Sequence, residues 1–468
     1  MTVPYIYGID GINRELQIDT LPVQGKLPEW LVGTLVRNGP GALSAGSQPL
    51  KHWFDGLAML HKFSFANQQV SYASKFIDSS AYQQAQARGG LAMCEFATDP
   101  CRSLFKKVMT LFSRHPTDNA KVNIAKFADR FYALGETPIQ VEFDAETLRS
   151  VGVFLYEQNP IGQMTTAHPH FDDGMMYNVV TRFHRVSHYH AYKAKQVSQQ
   201  QRIAAVPTHA PSYMHSFGMS QNHIIITEFP YVVNPLNLLL WLKPFIENYK
   251  WRANKPTVFW VINRHTGEIV GRYESEPFFA FHHVNAFEQN GEVVIDLVAY
   301  PDAGIVSDFY LNRLRSADLK LPAGNLRRYR VRPRRKQVTQ ETLSETCIEM
   351  PRFDYSRFNM CADYRYVYGI GVEESQPHGF YNQIVKIDAL TGQTTAWHTS
   401  GCYPGEPVFV PAPHARAEDD GVLLSVVLDV ERRYSFLLVL DAATLEEQAR
   451  AFVPQGILFG FHGEYIGA

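Results

Sequence analysis

No stretch of this chain is both apolar and long enough to cross a bilayer. The longest uncharged apolar run, 229–242, contains two prolines and falls short of the roughly 20 residues a spanning helix needs. The first residues, MTVPYIYGIDGINREL, show no basic flank followed by an apolar run, so no secretory signal is expected. Cysteine is scarce. The five present (Cys94, Cys101, Cys347, Cys361, Cys402) are odd in number and show no CxxC spacing, so they read as reduced thiols of an intracellular protein. Charge is nearly balanced, 44 basic against 46 acidic residues, and a net −2 gives no footprint for nucleic acid. There is no Ser–His–Asp or paired-carboxylate signature and no low-complexity linker. One domain spanning 1–468 is expected, soluble or peripheral to a membrane.

What the chain does have is a core. Hydrophobic residues make up 45% and charged residues 19%, and the 24 Tyr and 30 Phe favour strands and a large apolar cavity. One local pattern recurs: a strand-like run ends at Asp or Asn, two residues follow, then Thr and another run. It occurs around Asp144, Asn263, Asp388 and Asp441, with a weaker relative at Asn67. An Asp or Asn turn between period-2 runs is a hairpin. Hairpins repeated along the whole length, without long alternating helices, predict an all-β fold built by radial repetition, a β-propeller. The basic stretch NLRRYRVRPRRKQ, 325–337, reads as a solvated strand edge or loop.

Two segments break the strand pattern. Residues 99–115 place Leu104, Phe105, Val108, Leu111 and Phe112 at helical spacing among Lys106, Lys107 and Arg114. Residues 234–251 gather Leu238, Leu239, Leu240, Trp241 and Leu242 beside Lys243. Apolar excursions edged by lysine suit a membrane interface, or else cap a core.

Among the 18 histidines, four stand apart: His168, His215, His282 and His462. Each lies among apolar residues and small turn formers, where an unpaired imidazole would be costly. They are too far apart for one helix or hairpin, so only the fold could bring them together. Neutral imidazole suits iron, zinc or copper. His184, His188 and His190 look like a local cluster, but with no carboxylate or cysteine beside them they read as ordinary strand residues. Three glutamates, Glu136, Glu349 and Glu406, share the apolar setting of the four histidines. A buried carboxylate needs a partner, and a metal-bound imidazole commonly donates its other N–H to one.

Motifs in order along almost the whole chain carry a resemblance. RNGPG (37–41), HWFDGLAMLHKFSF (52–65), LGETP (134–138), AHP (167–169), MHSFGMSQNHIIITE (214–228), FHHVNAFE (281–288), EMPRFDYSRFN (349–359), GEPVFVP (405–411) and FGFHG (459–463) resemble the carotenoid cleavage oxygenase family. The animal-type oxygenases and the related retinoid isomerase are the most similar branch. The resemblance implies a seven-bladed β-propeller with a helical or loop cap over its top face, including about 99–115 and 234–251. It implies one ferrous ion per chain held by His168, His215, His282 and His462, with His283 the competing choice to His282. It further implies outer carboxylates Glu136, Glu349 and Glu406, with Val122 beside an open iron position.

The activity implied is cleavage of a conjugated C=C bond of a carotenoid or apocarotenoid with O2 as co-substrate. The leading expectation is 15,15′ cleavage giving retinal. Eccentric 9′,10′ cleavage and stilbene-type cleavage are alternatives, and a lipid-binding propeller without catalysis is a reading of another class. No separate acid or base is assigned. Similarity around Cys101 to a membrane-associated loop implies a cytoplasmic protein held peripherally at a membrane, although Thr98 stands where that branch usually has Pro.

Overall fold

The Asp and Asn turns close hairpins, and they do so at equivalent places. The side-chain Oδ1 of Asp144, Asn263, Asp388 and Asp441 accepts from the backbone N–H of Thr147, Thr266, Thr391 and Thr444 at 2.7, 2.9, 3.3 and 2.9 Å. The next residue turns left-handed: Leu148, Gly267, Gly392 and Leu445 have φ of 57°, 79°, 74° and 61°. The Asn67 turn is tighter, with Asn67 and Gln68 both at positive φ, as a two-residue hairpin turn requires. Each of these five turns joins the third strand of a sheet to the fourth, counting outwards. The recurring sequence pattern is thus an internal repeat of one turn per sheet.

The computed structural model describes residues 3–100, 117–155, 162–196, 199–240, 243–376 and 378–467. Seven antiparallel sheets of four or more strands form the blades of a β-propeller. Their inner strands are Gly463–Gly467 in blade 1, Asn123–Phe127 in blade 2, and the pieces Met164–Thr165 and His170–Asp172 in blade 3. They continue with Gly218–Met219 in blade 4, His283–Gln289 in blade 5 and Glu349–Arg352 in blade 6. Blade 7 again has two pieces, Cys402–Pro404 and Val408–Pro411.

Chain ends close the ring. The C-terminal strand Gly463–Gly467 pairs with Gly33–Ala42 as the inner strand of blade 1, while the N-terminal strand Leu16–Ile18 lies on that blade's outer edge. Val23–Gly25 then pairs with Glu447–Val453 on the outer edge of blade 7. Stitching both ends into sheets removes edges that would otherwise be open to pairing.

Among the described residues helices are few and short. Ser80–Arg88 starts at Ser79, whose hydroxyl accepts from Tyr82 N–H at 3.1 Å, and stops at left-handed Gly89. Pro235–Leu240 falls in the expected excursion 234–251, and the rest of that segment is less free than an excursion. Ile246 and Tyr249 are buried in the main apolar core, which also takes Leu238. Of the segment 99–115, residues 101–115 lie outside the described residues, as do Trp241 and Leu242.

The basic stretch 325–337 is a solvated loop only in its last part, where residues 334–337 form an exposed turn. Asn325–Arg332 is an inner-lying strand of blade 5, paired on both sides, and Arg328 is buried with its guanidinium 2.8 and 2.7 Å from the carboxylate of Asp296. A run of arginines looks solvated in sequence, but alternate side chains of a strand face opposite ways. One of them met a buried acid.

Candidate metal centre

Each of the seven inner strands brings one side chain to the axis at or near its start. Blade by blade from the C-terminal strand these are His462, Val122, His168, His215, His282, Glu349 and Glu406. The spacings between them are blade lengths: 47 residues from His168 to His215, 67 from His282 to Glu349 and 56 from Glu406 to His462. Radial repetition turns distant positions in sequence into neighbours on a ring.

Four imidazoles meet there. One ligand-capable atom from each of His168, His215, His282 and His462 lies within 4.8 Å of all the others, and among the described residues no other trio of His, Cys, Asp or Glu could hold a metal. His168 Nε2 is 3.1 Å from His215 Nε2, and His282 Nε2 is 3.1 Å from His462 Nε2.

The opposite ring atoms fix the tautomers. Nδ1 of His215, His282 and His462 sits 2.6, 2.5 and 2.7 Å from a carboxylate oxygen of Glu136, Glu349 and Glu406 respectively. A proton on Nδ1 serves each carboxylate and leaves a lone pair on Nε2. The lone pairs of His282 and His462 then face each other across 3.1 Å, an arrangement that a cation between them relieves. Metal–imidazole bonds of about 2.1 Å put nitrogens at right angles about 3.0 Å apart. The two 3.1 Å separations therefore suit a metal ion bound by imidazoles at right angles.

Burial favours the neutral form of His168, His215 and His462. It pushes the His168 imidazole well below its ordinary value, reinforced by the three other histidines. It pushes His462 down to about 4 against the opposing pull of Glu406, and it lowers His215 against that of Glu136. Glu349 and Glu406 are held in the charged form. Burial alone would raise Glu406, but Arg352, His462 and Arg37 outweigh it and hold the acid at about 2. For Glu349 burial is likewise outweighed, by His282, Tyr300 and the Met350 N–H.

A second layer of partners was not legible in the four histidine motifs. Arg37 Nη1 binds Glu406 Oε2 at 2.9 Å, and its Nη2 donates to the Phe461 carbonyl at 2.7 Å. Tyr213 donates its hydroxyl to Glu136 at 2.7 Å, and Tyr300 donates to Glu349. Asn38 binds the carbonyls of Ala120 and Asn123 at 2.8 and 2.9 Å, clamping the turn that carries Val122. A Cβ on the next residue, Gly39, would meet the Gly460 backbone at 2.5 Å. The RNGPG motif is thus a brace between Glu406, the Val122 turn and the His462 turn. The signal available in sequence was the three buried acids, each of which needed donors beyond one imidazole.

The two adjacent histidines have different fates. His282 turns into the cluster, whereas His283 spends both ring nitrogens elsewhere, on Ser216 and Thr227 at 2.8 Å each. His168 differs from the other three in having no carboxylate on its ring among the described residues. Its turn is held instead by Asn123, whose side chain donates to the Ala167 carbonyl at 2.9 Å. Of the strand histidines, His188 and His190 stack at 5.7 Å, and His184 lines the cavity next described.

That cavity, about 560 Å³, opens beside the cluster and is bounded mainly by aromatic and aliphatic side chains. His215, His282, His462, Glu136, Glu349 and Val122 form one wall. Phe54 and Phe281 pack close to His215, at 6.4 and 5.4 Å between ring centroids. A mainly apolar chamber against a ring of imidazoles suits a largely apolar substrate and gaseous oxygen.

Fold and site together define a β-propeller with a four-histidine axial centre. Residues 11–467 match the family described as retinal pigment epithelial membrane protein. The chain belongs to that family, the carotenoid oxygenases. It is 34% identical to a mitochondrial carotenoid-cleaving dioxygenase of Macaca fascicularis, over 95% of this chain and 91% of the relative. It is 32% identical to the human β,β-carotene 15,15′-dioxygenase, over 98% and 94%. A cobalt-substituted apocarotenoid oxygenase of Synechocystis superposes with a TM-score of 0.89 at 28% identity, covering 99% of this chain and 98% of the other.

Proposed function

We propose that this protein is an iron(II) dioxygenase that splits a conjugated C=C bond of a carotenoid or apocarotenoid, with 15,15′ cleavage to retinal the preferred reaction. The observation that carries this is the convergence of four histidine rings on one point beside a mainly apolar cavity. In this reading His168, His215, His282 and His462 hold the iron, one per chain. Glu136, Glu349 and Glu406 orient three of the rings and raise their basicity. Four imidazole ligands without a carboxylate would leave a bound metal its full positive charge.

A ferrous ion held there would supply the electrons that activate O2, which is otherwise spin-forbidden from reacting with a closed-shell polyene. Both oxygen atoms end in the two carbonyl products, so the reaction calls for no external reductant and no protein acid or base. The protein's share is positioning. Phe54, Phe281 and the other rings hold the polyene in one register and exclude water. Val122, a small apolar side chain on the axis, keeps the open side of the centre dry. The chain's likeness to a relative named for 15,15′ cleavage favours the central double bond.

Carotenoids barely dissolve in water, so the substrate must come from a membrane. No helix of the described residues is long and apolar enough to cross one. The helix Pro235–Leu240 supports a peripheral contact: Leu236 is 57% exposed and also lines the cavity, while Leu238 is buried. That places exposed apolar surface at the cavity mouth.

The test is anaerobic loading with ferrous iron followed by product analysis with β-carotene, an apocarotenal and resveratrol side by side. Retinal from the first two supports the proposal. Aldehydes from resveratrol alone would replace it with stilbene cleavage, and no product from any would favour a lipid carrier.

A further inference from the structure

One wall of the cavity is not apolar. Lys121 and Glu95 form an ion pair there, their side chains only 8% and 0% exposed, and both line the cavity. Glu95 is fully engaged. Thr117 Oγ1 donates to its Oε1 at 2.7 Å, Asn119 Nδ2 to Oε2 at 3.2 Å, and Lys121 Nζ also takes Oε2. Lys121 is not engaged to the same degree. An ammonium carries three donors, and among the described residues Glu95 is its one acceptor.

Such a pair is a poor structural device. Burying two charges seldom stabilises a fold more than apolar residues of similar size would. Burial here even pushes the Glu95 carboxyl up despite the ammonium beside it. The pair's position is nonetheless well fixed: the next residue, Val122, donates to the Leu134 carbonyl at 2.9 Å and accepts from the His462 N–H at 3.2 Å. Lys121 is therefore tied through one peptide to the axial centre.

We propose that Lys121, with Glu95 as its counter-ion, is a specificity residue that donates hydrogen bonds to an oxygen function, carbonyl or hydroxyl, on the conjugated substrate. The inference rests on the cleavage reading above and narrows its substrate class from carotenoids at large to oxygenated ones. A pure hydrocarbon seated against Lys121 leaves buried N–H donors desolvated and unpaired, whereas an oxygen function satisfies them. Sites built to pair a polar group reject analogues that lack it far more strongly than apolar pockets reject a missing methylene. Because Val122 follows Lys121 directly, anchoring the oxygen there also sets which double bond faces the histidines.

Two measurements test this. Metal-free protein is titrated with β-carotene, a β-apocarotenal and the corresponding apocarotenol in detergent, with binding read by quenching of tryptophan fluorescence. Iron-loaded protein is then assayed for kcat and KM on the same three compounds. Wild type should favour both oxygenated compounds over the hydrocarbon. Lys121→Met should shrink that preference by roughly 10- to 100-fold, mainly through KM, the size expected for a hydrogen bond to a charged donor. Since Lys121→Met alone leaves Glu95 buried and unpaired, the double variant Lys121→Met, Glu95→Gln provides a neutral pair should the single variant fail to fold. A preference for the aldehyde alone assigns the oxygen as a carbonyl, and equal preference for both assigns a general acceptor. Equal binding of all three by wild type, or an unchanged preference in the double variant, overturns the inference. If iron-loaded wild type cleaves none of them, the cleavage reading fails, and binding to the metal-free protein still decides the role of Lys121.

Discussion

His462 and Arg37 grip the same carboxylate from opposite sides: Glu406 offers Oε1 to the imidazole at 2.7 Å and Oε2 to the guanidinium at 2.9 Å. Of the three acids that face the histidines, Glu406 is the one bound to an arginine at this range. Glu136 and Glu349 lean on tyrosine hydroxyls instead.

Replacing these acids should therefore have graded effects. Glu136→Gln and Glu349→Gln keep the shape and should lower iron affinity or activity by about 10- to 100-fold, the range for groups that orient metal-bound histidines. Glu406→Gln should do the same and in addition lower thermal stability, because Arg37 loses its buried counter-charge. Calorimetric unfolding and iron titration on the three variants check this, and equal melting temperatures would deny Arg37 its role.

The adjacent pair His282 and His283 should separate cleanly. His282→Ala should abolish iron retention and activity. His283→Ala should keep one iron per chain while losing stability, since the buried Thr227 hydroxyl loses its partner, a cost of about 1–3 kcal/mol. Metal analysis of both variants decides it, and iron loss in His283→Ala alone would reverse the assignment.

Acid should destabilise the metal-free protein in a defined window. Burial holds His61 and His283 down to about 3 and His170 and His462 to about 4, below the ordinary value of 6.5. Between those values and 6.5 the unfolded chain binds more protons than the folded one, so stability rises with pH across the window and is fully present above it. A depression of that size is worth on the order of 3 kcal/mol per ring. Unfolding midpoints measured from pH 7 down to pH 4 should fall steadily, and a flat profile would mean the rings titrate as if exposed.

The exposed Leu236 offers a test of membrane capture. Leu236→Ser should weaken binding to liposomes about tenfold, in line with the burial of one leucine side chain. Turnover of membrane-dissolved carotenoid should fall more than that of detergent-dissolved apocarotenal. Unchanged liposome sedimentation would remove this helix from the contact.

Much of this architecture is legible in the sequence because it is written in local chemistry. Asp144, Asn263, Asp388 and Asp441 announced their turns through side chains that bond to nearby backbone, a signal that needs no tertiary context. Asp429 was missed. Its Oδ1 caps the N–H of Arg432 at 3.0 Å and Arg433 follows at φ 59°, yet no Thr marks the turn. The candidate centre was legible because four histidines and three acids stood in apolar surroundings where neither type survives alone. What pairs with what was not. Arg328 finding Asp296, Arg37 finding Glu406 and Lys121 finding Glu95 are long-range meetings, fixed only when seven blades close into a ring.

The central claim is that the four axial imidazoles hold iron, and the most direct measurement is metal content with X-ray absorption on protein loaded anaerobically with ferrous iron. One iron per chain with four nitrogen neighbours at about 2.1 Å is expected, and iron should be lost when any one of His168, His215, His282 or His462 is changed to Ala. Full iron retention in those four variants would contradict the account.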